Sequence, residues 1–156
     1  MENEPIKQKF SIWMKLILVL LGLTAISSLL GMAAPYQFGP IILSGIWLII
    51  LKLIMFGISA AAFYGIIKRF EWARKLTIGW YIYLMAISLV SLISFFVSKS
   101  MHDYYYYQLV LTNPGSAAAL INASIAGTLI VMTVCQCVID FLIIKYMMKK
   151  KDLFVD

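Results

Sequence analysis

Ala33-Ala34-Pro35-Tyr36-Gln37-Phe38-Gly39-Pro40 interrupts the uncharged run from Leu16 to Leu51 and so decides how often this chain crosses a membrane. That run is 36 residues long, whereas one helical span needs about 20. Two prolines and a glycine cannot continue a helix, so the run divides into two spans joined by a short turn. Three further uncharged runs follow, Leu53 to Ile67, Leu76 to Ser98 and Tyr104 to Ile139. A charge in hydrocarbon costs about 2.5–3.5 kcal/mol even on the lenient insertion scale, so such runs mark candidate spans. The pattern predicts helices over 12–34, 41–67, 76–98 and 117–148, with an outer loop 99–116 and a basic tail 149–156.

The composition agrees. Of 156 residues, 63% are hydrophobic and 13% charged, against roughly a quarter charged in a soluble domain. Mean hydropathy is +0.93, which excludes a soluble globular domain. The net charge of +6 has a local origin, because eleven of the thirteen Lys and Arg lie on one side of the expected spans. Lys7, Lys9 and Lys15 precede the first, Lys68, Arg69, Arg74 and Lys75 fill the loop after the second, and Lys145, Lys149, Lys150 and Lys151 follow the fourth. By the positive-inside rule both termini are cytoplasmic. The expectation is an all-α membrane protein, a four-helix transmembrane bundle running up-down-up-down, multi-pass in the cell (inner) membrane. Its solvent is the lipid bilayer; the basic tail can attract anionic lipid, at about 1 kcal/mol per residue. Nucleic acid is not an expected partner.

The first span is apolar from Leu16 to about Leu30, at or beyond the 7–15 residues usual for the core of a secretory signal peptide, and reads as a retained helix. Trp13, Trp72 and Trp80 are expected at the inner interface, and Tyr104 to Tyr107 as an outer aromatic belt.

Two places inside the spans carry candidate chemistry. Lys52 lies sixteen residues before Lys68, about 24 Å along a helix. It is either a lysine snorkelling to the outer edge or a buried cation on a solute path. In the fourth span Asn122, Thr133, Gln136 and Asp140 fall within about 60° of one another, a polar stripe on an otherwise apolar helix. One reading makes it packing glue, bonded to the hydroxyls of Thr24, Ser27 and Ser28 on the first helix and of Ser88, Ser91, Ser94 and Ser98 on the third. Asp140 is then paired to a cytoplasmic-side Lys or Arg. The other makes it a proton or cation relay. Gly57, Ala61 and Gly65 form a ridge of small residues on the second helix, suited to close helix contact within the chain or between copies.

Catalysis finds little support. His102 is the single histidine, and beside Asp103 it reads as a solvated pair. Cys135 and Cys137 point about 160° apart on a helix and cannot bridge. No phosphate-binding, dinucleotide or metalloprotease motif occurs, so no catalytic residue, cofactor or metal is expected. The sequon Asn122-Ala123-Ser124 falls within a span and is discounted.

The segment Gly65-Ile66-Ile67-Lys68-Arg69-Phe70-Glu71-Trp72-Ala73-Arg74 resembles the G-x-x-[KR]-[KR]-x-x-W-A-R inner loop of small, uncharacterised four-span membrane proteins of bacteria and archaea. The resemblance covers about ten residues and implies a prokaryotic inner-membrane protein with no activity to carry over. The expected function is a non-enzymatic accessory or interaction subunit of a membrane complex, in contact with a membrane-protein partner or a second copy of itself. The alternative is a small oligomeric transporter or channel whose path uses the stripe and Lys52. For topology, a Phe70→Cys substitution in a background lacking Cys135 and Cys137 should react with a membrane-impermeant maleimide only from the cytoplasmic side; labelling from outside intact cells overturns the orientation.

Overall fold

A computed structural model describes residues 10–31, 36–38, 41–112 and 118–154, with the side chains of all of these except 108–112 and 118–123. Lys7 and Lys9 lie outside the described residues. Helix α1 covers Ile12–Leu30. A two-stranded antiparallel hairpin follows, β1 (Tyr36–Phe38) and β2 (Ile41–Leu43) in the register Tyr36↔Leu43, Gln37↔Ile42, Phe38↔Ile41. Then come α2 (Gly45–Ile67), α3 (Glu71–Val97), α4 (Lys99–Thr112) and α5 (Ala118–Lys149). Helices α1, α2, α3 and residues Ser124–Lys149 of α5 are each long and apolar enough to cross a membrane.

The boundaries differ from the sequence reading in ways that matter. The first helix ends at Leu30 rather than 34, capped by the Gly31 amide bonding back to the Ser27 carbonyl at 3.0 Å. Residues 41–43 are not helical, because pairing with β1 satisfies their backbone instead, and α2 begins only at Gly45. Residues 99–116, expected as a loop, hold helix α4. Phe95 seats it, with ring centroids 5.4 Å from His102 and 5.7 Å from Tyr105, while Met101 is buried. The third helix starts at Glu71, five residues before the expected 76, because an acidic side chain is favourable in a first turn.

The link between α2 and α3 accounts for that early start. Arg69 adopts a left-handed φ of 60°, the Phe70 amide bonds the Gly65 carbonyl at 2.9 Å and the Arg69 amide bonds the Ile66 carbonyl at 3.0 Å. These are the paired bonds of a Schellman helix end, here with arginine where glycine is usual. The chain then turns so sharply that a Cβ on Gly65 would lie 2.4 Å from the Cβ of Ala73 and 2.9 Å from the Trp72 ring. The glycine, tryptophan and alanine of the inner-loop motif are therefore one packed corner. Its arginine belongs to the same corner: Arg74 grips Glu71 in a two-pronged ion pair at 2.5 and 2.7 Å, and its Nη1 donates to the Met147 carbonyl at 3.4 Å.

Around this corner the helix ends meet. Ser11 and Tyr146 share a hydrogen bond of 2.5 Å, and the Arg69 guanidinium lies 5.2 Å from the Phe10 ring centre. The main core sits just inside, with Met14, Ile17, Leu21, Ile66, Ala73, Ile143 and Met147. Outward from it, broad apolar faces such as Leu23, Ile54, Ile93 and Phe141 are exposed, as lipid contact requires. Trp13 and Trp72 are half exposed, whereas Trp80 is 6% exposed and stacks on Tyr83 with centroids 5.3 Å apart. Farther along α3 than the corner, its ring points into the bundle.

The ridge Gly57, Ala61, Gly65 is not a single surface. Gly65 is buried in the corner, Ala61 is half-buried, and Gly57 is exposed, a Cβ there meeting nothing within 4 Å. Gly65→Ala should therefore destabilise the purified protein by about 1–3 kcal/mol, the usual cost of overpacking, while Gly57→Ala leaves it unchanged. Thermal unfolding in mild detergent measures the contrast, and equal midpoints for the two variants contradict this account of the corner.

Candidate functional site

Away from the corner, α1, α3 and α5 leave between them a cleft of about 560 Å³. Each element contributes polar groups to it: Thr24 from α1, Tyr36 and Gln37 from the hairpin, Ser88 and Ser91 from α3, Tyr104 and Tyr105 from α4, Thr133 and Gln136 from α5. Leu84, Ile87 and Met132 complete the lining. The first and third helices place these hydroxyls through their period of about 3.6 residues, which puts Ser88 and Ser91 on one face.

The hairpin and α4 close the cleft together. Tyr105 donates a short hydrogen bond to the Gln37 carbonyl oxygen, and Gln37 Nε2 donates to the Ser91 carbonyl at 3.3 Å. Phe38 leans on Tyr83 with centroids 6.4 Å apart. Burial holds the phenols of Tyr36 and Tyr105 above the ordinary tyrosine value, an effect reinforced for Tyr105 by Tyr104 and Tyr36, so both remain donors at physiological pH.

The stripe of α5 is split by depth. Thr133 and Gln136 face the cleft, and one turn deeper Asp140 is fully buried, 0% exposed. Gln136 Nε2 donates to Asp140 Oδ1 at 2.7 Å, and Oδ2 has no partner among the described residues. The side chain of Asn122 lies outside the described residues. The expected ion pair between Asp140 and a basic residue does not form among the described residues. Glu71 holds the guanidinium of Arg74 and draws Lys75 to 3.8 Å, and Lys15 and Lys145 are exposed.

Lys52 does not belong to the stripe. Its side chain is 9% exposed, and its ammonium sits 4.1 Å from the centre of the Tyr36 ring, beside Gly31 at the C-terminal end of α1. Both neighbours favour a cation, the ring through its negative face and the helix end through its carbonyl dipoles. The side chain thus runs toward the end of the bundle, as snorkelling requires, but it finishes against protein rather than water. Tyr36 stands between Lys52 and the cleft.

Four of the hydroxyls expected as glue across helices, those of Thr24, Ser27, Ser28 and Ser94, bond backbone of their own helix instead. Thr24 bonds the Leu20 carbonyl at 2.8 Å, Ser28 the Thr24 carbonyl at 2.8 Å and Ser94 the Val90 carbonyl at 2.7 Å, each within its own helix. Back-bonded hydroxyls of this kind satisfy themselves without a neighbour. Tyr36, Gln37 and Tyr105 are site residues that the sequence pattern does not single out. The one signal for the first two is a carboxamide and a phenol between two prolines, in a turn with no other polar side chain. Among the described residues no three His, Cys, Asp or Glu side chains gather as a metal site would need.

Compared with protein-family models, curated proteins and solved structures, the chain matches none.

The closure of the cleft has a measurable support. Lys52→Met removes the cation from Tyr36, and Tyr105→Phe removes the bond to Gln37, interactions worth about 0.5–2 and 0.5–1.5 kcal/mol. Both should raise amide hydrogen exchange in residues 36–43 selectively. Unaltered exchange there in both variants means that neither contact seats the hairpin.

Proposed function

We propose that this is a non-enzymatic multi-pass protein of the cell (inner) membrane that binds a small polar solute in the cleft and passes it across the bilayer, alone or as a homo-oligomer. Its four spans run up-down-up-down with both termini in the cytoplasm. The basic residues of one end support that orientation, as do the short corner between α2 and α3 and the contacts of Ser11 with Tyr146 and Arg74 with Met147. The hairpin end then faces outward. The resemblance of the corner motif to small prokaryotic membrane proteins fits the same placement.

One observation carries the functional reading. A chain that is otherwise apolar along its spans gathers polar side chains from α1, α3, α5, the hairpin and α4 onto one cavity, above a buried carboxylate. Polar groups inside a bilayer are costly and mark paths or binding sites more often than they fill lipid-facing surface. Packing alone does not call for such a cavity, because the hydroxyls of α1 that were expected to act as glue bond their own helix.

A second reading, an accessory or interaction subunit, is favoured by the outward face of α5. There Ser124, Gly127, Thr128, Val131 and Cys135 line a shallow depression of about 780 Å³ that a second membrane helix can enter closely.

Reconstituted liposomes distinguish the two. Uptake of radiolabelled urea, glycerol, choline and alanine over empty liposomes is the measurement, and at least one should enter through the protein. Thr133→Val and Gln136→Leu should each slow that uptake about threefold to tenfold, the worth of one hydrogen bond. If no solute in a broad polar panel moves, while crosslinking from Gly127→Cys captures a partner, the subunit reading replaces the transport reading.

A further inference from the structure

We infer that Asp140, one helical turn beyond the cleft lining at Gln136, carries an exchangeable proton and that Gln136 transmits its charge state to the occupant, so that a donor-rich solute, an amine or a polyol, binds in exchange for a proton. The inference rests on the reading of the cleft as a solute site and names the class of solute.

Asp140 is 0% exposed, with one carboxyl oxygen accepting from Gln136 at 2.7 Å and the other without a partner among the described residues. Among the described residues no counter-ion is paired with it. From α3 come Tyr81, within electrostatic reach, and Arg74 and Lys75, both drawn to Glu71. Helix α5 itself offers Cys137 and the exposed Lys145, and α1 offers neutral Thr24 and the exposed Lys15. Across the cleft stand Tyr104 and Tyr105 of α4 and Tyr36 of the hairpin, whose ring carries the Lys52 ammonium, itself not part of the lining. An anionic carboxylate in this setting is an uncompensated charge in a medium of low dielectric. A proton is the one cation small enough to reach an atom so enclosed. When it arrives from cleft water an O–H bond forms at Oδ2, the carboxylate becomes a neutral acid and no bond of the protein breaks.

Gln136 couples that event to the cleft. While Asp140 is ionised its bond to Gln136 Nε2 is charge-assisted, which fixes the amide and leaves Oε1 as the atom Gln136 has for the cavity. The cleft then presents an acceptor beside Thr133. Protonation turns the bond into a neutral one of roughly half the strength, and the amide is released to turn. The acceptor is withdrawn, and a bound donor loses its partner.

Infrared difference spectroscopy of the protein in nanodiscs, titrated from about pH 9 to about pH 4, tests this without knowing the solute. The probe is the proton itself, read from the C=O stretch of a protonated carboxyl. The expected spectrum contains one band that Asp140→Asn removes, and Gln136→Leu should shift the midpoint of that band to higher pH, since the donor that favours the anion is gone. A titration unchanged in Asp140→Asn overturns the proton site; a midpoint unmoved in Gln136→Leu overturns the coupling. Should liposomes move a solute while the Asp140 band is missing, the proton inference falls and the transport reading stands. A titrating Asp140 in a chain that moves no solute removes the transport reading, and with it the exchange, and leaves only the proton site.

Discussion

Glu71 claims Arg74, and much of the rest follows from that pair. The guanidinium is held by two bonds of 2.5 and 2.7 Å at the start of α3, and a third donor reaches the Met147 carbonyl near the end of α5. One arginine thereby ties the corner of α2 and α3 to the last turns of α5. Its donors are thereby committed to Glu71 and to the Met147 carbonyl. Asp140, which sequence alone pairs with a cytoplasmic cation, has among the described residues the Gln136 carboxamide as its partner, one helical turn beyond the part of α5 that lines the cleft.

The two ends of the bundle are held by different physics. At the basic end, close backbone approach at Gly65 and a ring of Met, Ile and Leu side chains make a tight core. At the hairpin end, contacts are aromatic and polar: Phe95 against Tyr105, Tyr105 with Gln37, and the Lys52 ammonium on Tyr36. Apolar packing is undirected and fills space, whereas rings and hydrogen bonds hold segments apart at set distances. A cleft between α1, α3 and α5 opens where the second kind takes over from the first.

Of the fold, the four long apolar helices are legible in the sequence because charge and proline are so costly in hydrocarbon that the long uncharged runs fall within them, although Lys52 and Asp140 lie inside helices. The hairpin is not legible, since six strand residues around Gly39-Pro40 have the same composition as a helix margin, and only pairing across the turn reveals them. Helix α4 is hidden for a related reason: its tyrosines suit an aromatic belt equally well, and its seat on Phe95 depends on how the chain folds back after α3. Of the site, Thr133, Gln136 and Asp140 are legible as one stripe through helical period alone. Lys52 is legible as an anomaly but not as a clamp on Tyr36.

The sequence by itself determined a membrane-embedded chain of four apolar helices, with its basic residues gathered at one set of helix ends and a polar stripe on the last helix. Those properties are local, because solvation cost and helical period act residue by residue. Only the tertiary structure decided that the stripe borders a cleft, that Asp140 is buried with Gln136 and not a cation as its partner among the described residues, and that the small-residue ridge of α2 splits between a packed corner and an open face. Each of those depends on how the helices pack against one another, as where Ala73 and Trp72 close on Gly65 or where the hairpin and α4 meet over the cleft, and those distances between elements are contained in no single stretch of sequence.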